Sequence, residues 1–258
     1  MTWNPEQYFK FSDHRLRPAL DLIGQIPLEN PKRIYDLGCG PGNVTRLLAE
    51  RWPDSQITGI DSSPEMISKA RASESSIDWI EADIATWEPT GPADIIFSNA
   101  ALHWLDNHQG LFPRLLSMLT IGGVLAVQMP RNHGAPSHVL MAKVARLGPW
   151  EGQLAMELRE APVDSPEAYY DLMSSDAVSL NIWESEYAHI LEGDAPVLEW
   201  VRGTALKPLL DALDRSGNPD WKTAFLNDYS EHLKAAYPRR GDDRTLFPFR
   251  RLFMVAVK

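Results

Sequence analysis

A chain of 258 residues, 44% hydrophobic and 23% charged, is long enough to bury a full core and has an ordinary globular composition. Its formal net charge of −10, with no basic run longer than Arg239-Arg240 or Arg250-Arg251, argues against nucleic acid or an anionic membrane surface as a partner, and no stretch approaches the roughly 18 apolar residues of a membrane span. The single cysteine, Cys39, excludes an internal disulfide and a multi-cysteine metal site; with a start, MTWNPEQYFKF, that lacks the apolar core of a secretory signal, a cytoplasmic chain without a metal is expected.

From residue 33 to 129 the chain repeats a short apolar run, a turn and a helical stretch. RIYDL reads as a buried strand, followed by the helix VTRLLAERW, in which Val44, Leu47, Leu48 and Trp52 share one face. SQITGID is the second strand, and SSPEMISKARA the next helix, with Ser63 as N-cap, Pro64 at the first helical position and Glu65 in the first turn. IDWIEAD, ADIIFSNA and GGVLAVQMP complete five strands, the last two separated by the helix QGLFPRLLSML. Strands that alternate with crossover helices predict an α/β fold, a doubly wound, mostly parallel sheet with helices on both faces. After Pro130 the rhythm breaks: helical stretches with Pro and Gly interruptions surround one long alternating run, VSLNIWESEYAHIL, and TLFPFRRLFMVAV closes the chain as a strand. Seven strands and helical insertions of roughly forty residues on each side of the sixth are therefore expected.

The segment DLGCGPGN sits at the end of the first strand, where the crevice of an open parallel sheet begins. Gly38, Gly40 and Gly42 let the backbone turn sharply and approach a ligand. The dinucleotide fingerprint G-x-G-x-x-G fits poorly, because Asn43 stands in its third glycine position and the third glycine comes one place early. Asp61 ends the second strand about twenty residues on, where a carboxylate accepts from the hydroxyls of an unphosphorylated ribose. Asp83, followed by Ile84, ends the third strand, suited to an exocyclic amine and a ring face. Both aspartates have simpler readings, Asp61 as a cap of the helix near Ser63 and Asp83 as an Asx turn.

DLGCGPGNVT, GIDSSPEMI, EADIATW and SNAALHW at these spacings resemble the motifs of the S-adenosyl-L-methionine-dependent class I methyltransferases over about residues 33 to 130. The outer segments WNPEQYFKFSDHRLRPALDLI, EWVRGTALKPLL and LFPFRRLFMVAV are similar to one family within them, the trans-aconitate methyltransferases. The resemblance implies a Rossmann-like single domain over 1–258: an N-terminal helical lid (1–30), a cofactor-binding core (31–130), a late strand with helical cap insertions (131–245) and a final strand (246–258). It implies that Asp36, Gly38, Gly40 and Gly42 wrap the methionine end of the cofactor, Asp61 takes the ribose, Ser62 or Met66 lines the adenosine, Asp83 and Ile84 hold the adenine, and Asn99 faces the sulfonium region.

A carboxylate acceptor is ionised at neutral pH, its ordinary pKa being about 4, so no general base is required. His103 and Trp104, just past the fourth strand, are then expected to shape and dry the pocket rather than to move a proton, with direct in-line methyl transfer producing the monomethyl ester of trans-aconitate. The other carboxylates need local cations. Arg15 beside Tyr8 in the first segment, Arg131 after the fifth strand and Arg202 in the helical insertion are the candidates, with Arg250 in the last strand behind them; surface ion pairing is the competing reading for each. A monomer acting on a small anion is expected. Another small carboxylic acid or an O/N acceptor, an NAD(P)-dependent oxidoreductase and a non-catalytic cofactor-binding module are the alternative functions.

Overall fold

In a computed structural model that describes residues 12–72, 76–159 and 161–258, with side chains described from Leu16 onward, the alternating runs become a seven-stranded sheet. The first half holds α1 (Ser12–Gly24), β1 (Arg33–Leu37), α2 (Asn43–Arg51), β2 (Gln56–Asp61), α3 (Pro64–Arg71), β3 (Asp78–Glu81), β4 (Ala93–Asn99), a 3-10 turn (Leu102–Trp104), α4 (His108–Ser117) and β5 (Leu119–Pro130). The second half holds α5 (Pro136–Leu147), α6 (Glu151–Leu154), a 3-10 turn (Ala155–Glu157), α7 (Pro166–Met173), β6 (Ser179–Leu191), α8 (Pro196–Arg202), α9 (Lys207–Asp214), α10 (Pro219–Ala236) and β7 (Thr245–Val257). No helix among the described residues is long and apolar enough to cross a membrane.

The strand order is β3-β2-β1-β4-β5-β7-β6. Pairs β1 with β2, β1 with β4, β2 with β3 and β4 with β5 are parallel, while β7 runs antiparallel beside β5. The chain steps outward from β1 to β3 and then returns to β4 on the other side of β1. The order therefore reverses between β1 and β4, and their carboxyl ends open the crevice in which such sheets take ligands.

The helix read as QGLFPRLLSML ends at Ser117, and the strand read as GGVLAVQMP begins earlier, at Leu119; two further boundaries differ from the sequence pattern for a local reason. The third strand ends at Glu81, before Asp83, because Asp83 starts a turn: its Oδ1 accepts from Ala85 N at 2.9 Å and its carbonyl from Trp87 N at 2.8 Å. Helix α4 starts at His108, one residue ahead of the expected run, because Asn107 at φ 55° caps it, its Oδ1 accepting from Gly110 N at 3.2 Å.

Contacts divide the described residues into two compact units, one within 15–130, 162–185 and 251–258, the other within 131–161 and 186–250. In the first, Leu125, Val127 and Met129 alternate along β5 onto one face, against Phe112, Leu115 and Leu116 of α4 and Tyr169 and Met173 of α7, all of them buried. Each such side chain contributes about 1.5–3 kcal/mol by leaving water. In the second, Trp200, Phe225, Tyr229 and Phe247 form the centre of a separate core. There the Tyr229 hydroxyl donates to Ser137 O at 2.6 Å, and Ser137 N donates to the Tyr237 hydroxyl at 3.0 Å, which fixes the start of α5.

Candidate active site

All three loop glycines have positive φ, 76° at Gly38, 54° at Gly40 and 83° at Gly42, but each is glycine for its own reason. A Cβ on Gly38 would lie 2.1 Å from that of Ala101, and one on Gly42 would lie 2.4 Å from the Trp79 ring, so those two spaces are already filled by protein. Among the described residues, a Cβ on Gly40 would meet nothing within 4 Å. Open space of the kind a ligand occupies lies over Gly40 alone of the three.

The amides of the loop are mostly engaged by the protein itself. Gly38 N and Cys39 N donate to Ile60 O at 2.8 and 3.0 Å, Gly42 N to Cys39 O at 3.1 Å, and Gly40 N to Asp61 Oδ2 at 2.9 Å. A loop built to cradle pyrophosphate presents its N–H groups to the phosphates. Here four of them are turned inward, the Asp36 and Asp61 carboxylates lie close by, and the Arg46 guanidinium is spent on Pro41 O at 3.2 Å.

Asp36 lies on β1, 2% exposed, and accepts from the Thr45 hydroxyl at 2.6 Å. Burial pushes its pKa up to about 7; the Thr45 hydrogen bond opposes the shift, and the nearby Asp61 charge adds to it. A carboxyl held this close to neutrality ionises when a cation arrives beside it. Cys39 is buried, and burial with the Asp36 and Asp61 charges pushes its thiol far up, so it offers no thiolate and serves as a small filler against Gly59 and Trp79.

Asp61 ends β2, and its carboxylate ties two segments together, Oδ2 accepting from Gly40 N and Oδ1 from Ser63 N at 2.8 Å. Each oxygen retains a lone pair for a further donor such as a ribose hydroxyl. Ser63 accepts from Met66 N at 3.3 Å as the N-cap of α3; Met66 is buried at 3% exposed, whereas Ser62 faces solvent. Ile84 is also buried, and its Cδ1 would be 3.7 Å from a Cβ on Gly38, so it packs beside the loop. The Asp83–Ile84 turn is held from α4 by Arg114, which donates to Ile84 O at 2.7 Å and Trp87 O at 2.8 Å.

At the end of β4, Asn99 Oδ1 is buried and accepts no hydrogen bond from the described residues. Ala100 follows at φ 55°, a conformation that costs a non-glycine residue about 1 kcal/mol, and it turns the chain from the strand into the Leu102–Trp104 turn. The His103 and Trp104 rings lie tilted, 4.8 Å apart, on that turn, with Trp104 36% exposed. His108 anchors it: its Nε2 lies 2.9 Å from Leu102 O and its Nδ1 2.6 Å from the Tyr169 hydroxyl.

Of the residues expected to hold the acid, Arg202 is exposed and paired with Glu199 on the same helix at 3.2 Å. Arg131 follows β5, its N–H donating to Arg250 O at 3.0 Å. Tyr8 and the Arg15 side chain lie outside the described residues. Arg250 lies 3.8 Å from Glu186 and is exposed; the buried arginine is its neighbour Arg251, 5% exposed. Sequence reasoning also gave no role to Thr45, although it closes the DLGCGPGNVT segment, nor to Arg114, His108 and Tyr169, which lie in no motif; the Asp36–Thr45, Ile84–Arg114 and His108–Tyr169 pairs are 9, 30 and 61 positions apart in the chain.

A family described as "Methyltransferase domain" matches residues 34–123. Solved structures with this fold include the YcgJ protein from Bacillus subtilis (14% identical, TM-score 0.59, covering 94% of this chain and 98% of that one) and a phosphoethanolamine N-methyltransferase 2 from Haemonchus contortus (16% identical, TM-score 0.55, 94% and 52%). Relatives named trans-aconitate 2-methyltransferase are 46% identical in Azoarcus sp. (100% of this chain, 99% of that protein), 45% in Rhodopseudomonas palustris (99% of each) and 46% in Streptomyces coelicolor (100% and 87%). With identity at this level over the whole chain, the protein belongs to the trans-aconitate 2-methyltransferase family.

Proposed function

We propose that this protein is an S-adenosyl-L-methionine-dependent methyltransferase that forms the monomethyl ester of trans-aconitate, acting as a cytoplasmic monomer. The observation that carries the reading is full-length similarity, 46% identity over 257 residues, to a protein named for that reaction. The site fits the cofactor's chemistry. That molecule bears an ammonium and a sulfonium, and the crevice offers a buried acceptor on Asn99, the Asp36 carboxyl and open space over Gly40. In this reading Asp36 and the loop hold the methionine end, Asp61 the ribose, Asp83 with Ile84 and Met66 the adenosine, and exposed Ser62 plays a lesser part.

When bound, S-adenosyl-L-methionine supplies an electrophilic methyl group. The chain's own contribution is placement. The acceptor carboxylate arrives ionised, so no side chain need remove a proton. His103 and Trp104 line the approach and exclude water, and alignment of this kind supplies on the order of 7–11 kcal/mol. Arg131 is proposed as one cation for the acid; the Glu199 pairing of Arg202 supports a surface role for that residue instead.

Incubating the protein with methyl-labelled cofactor and trans-aconitate should yield a base-labile labelled ester. Label transfer to other small acids but not to trans-aconitate would move the substrate assignment within the class. Tight NADH binding with none of S-adenosylhomocysteine would overturn the class itself.

A further inference from the structure

The sheet face that carries Asp36 and Asn99 continues into two buried polar side chains, Gln128 and Arg251, that have no part in the proposed function. Register sets it out. Asp36 pairs with Phe97, Asn99 lies two residues further along β4 and so on the same face, and Asn99 pairs with Gln128 of β5. Gln128 in turn pairs with Phe253 of β7, and Arg251, two residues from Phe253, returns to that face. Gln128 is 0% exposed and Arg251 5%.

The contact between these two assigns the amide. Arg251 Nη1 donates to Gln128 Oε1 at 3.4 Å, so the other terminus of that side chain, Nε2, is the donor end, and it is buried with no hydrogen-bond partner among the described residues. In the next strand Asn99 Oδ1, an acceptor, is also buried and unpartnered. A glutamine and an asparagine that were only core residues would use these groups on each other or on backbone. An unused amide donor beside a buried guanidinium suits an anion, and the planar fork of arginine is the group that grips a carboxylate by paired hydrogen bonds. The adjoining unused acceptor suits a cation.

We infer that Gln128 and Arg251 form the subsite for a non-reacting carboxylate of the substrate, next to the Asn99 acceptor that faces the cofactor. The inference rests on the proposed carboxylate substrate and adds the residues that select a polycarboxylate over a monocarboxylate. It also explains why the last strand carries two arginines in succession: alternation sends Arg250 to the exposed pair with Glu186 and Arg251 into the buried row.

The test uses the full-length protein with three substitutions, Gln128→Leu, Gln128→Glu and Arg251→Lys, the last keeping the charge so that the fold survives. Gln128→Leu should raise KM for trans-aconitate about tenfold, the loss of one hydrogen bond to a charged group, with kcat and the Kd for S-adenosylhomocysteine within about twofold. Gln128→Glu should raise KM further by like-charge repulsion, and Arg251→Lys should raise it less than that. For a monocarboxylate acceptor the same variants should leave KM near wild type. A folded Gln128→Leu protein with unchanged KM for trans-aconitate overturns the subsite. If the wild-type protein makes no ester of trans-aconitate, the substrate reading fails separately. Calorimetry of the S-adenosylhomocysteine-loaded protein with a panel of di- and tricarboxylates then decides the subsite: weaker binding of any of them to Gln128→Leu supports it, and equal or absent binding to both proteins overturns it.

Discussion

The hydroxyl of Tyr169 donates to Nδ1 of His108 at 2.6 Å, linking α7 to α4. The direction follows from the other ring nitrogen: Nε2 faces the Leu102 carbonyl at 2.9 Å, which only accepts, so Nε2 bears the proton and Nδ1 of the neutral ring is the acceptor. Asp164 N donates to the same hydroxyl at 3.3 Å. A chain of three hydrogen bonds thus ends on the first residue of the turn that presents His103 and Trp104. Tyr169→Phe leaves a buried ring nitrogen unpaired, which should lower stability by about 1–3 kcal/mol. It should also lower kcat several-fold with little change in the Kd for S-adenosylhomocysteine, since the loop and Asp61 are untouched. Thermal unfolding and steady-state kinetics check both; wild-type kcat in a destabilised Tyr169→Phe protein would show that the turn is held without this link.

Asp36 predicts opposite signs for binding and stability. Its folded pKa of about 7 lies above the ordinary 3.8, so the native state holds this proton more tightly than the unfolded chain. The stability it contributes is fully present below about pH 4 and is lost as pH rises through 7, at up to about 1.4 kcal/mol per pH unit. The cationic ligand prefers the carboxylate, so cofactor affinity should fall as pH drops below about 7, by up to about tenfold per unit. Asp36→Asn should therefore raise the melting temperature at pH 8 while weakening S-adenosylhomocysteine binding and flattening its pH profile. A profile unchanged in Asp36→Asn would assign the titration to another group.

How much of this was legible beforehand depends on whether a residue acts through its neighbours in sequence or through register. β1, β2, β4, β5 and the loop could be read because apolar runs, glycines and Asp61 recur at fixed spacings along one segment of chain. The two duties of Asp61, ligand position and brace between Gly40 and Ser63, could not be separated, because the same spacing serves both. The choice between Arg250 and Arg251 was hidden for a physical reason. The strand beyond them is buried on both faces, Leu252 to Ala256 all within 4% exposure, so the alternation that would mark an inward face is absent. His108 and Tyr169, 61 residues apart, meet only once α7 packs on α4.

The three loop glycines give a test that separates packing from ligand room. Gly42→Ala drives a Cβ to 2.4 Å from the Trp79 ring, which is wedged between Gly42 and Gly59, and Gly38→Ala drives one to 2.1 Å from Ala101. Overpacking of this kind costs about 1–3 kcal/mol, and a positive φ on alanine adds about 1–2 kcal/mol. Both variants should melt well below wild type, with or without ligand. Gly40→Ala carries the φ penalty but no clash with the described residues, none of which lies within 4 Å of its Cβ. It should melt only slightly below wild type, by about 2–8 °C, yet lose most of its S-adenosylhomocysteine affinity, since the new methyl projects into the open space over the loop. Measuring Tm and Kd for all three variants orders them: Gly40→Ala should be the most stable of the set and show the largest loss of binding relative to its loss of stability. Near wild-type affinity in Gly40→Ala would mean that the ligand does not lie over the middle of the loop, and that Asp36 and Asn99 hold it from the strand ends alone.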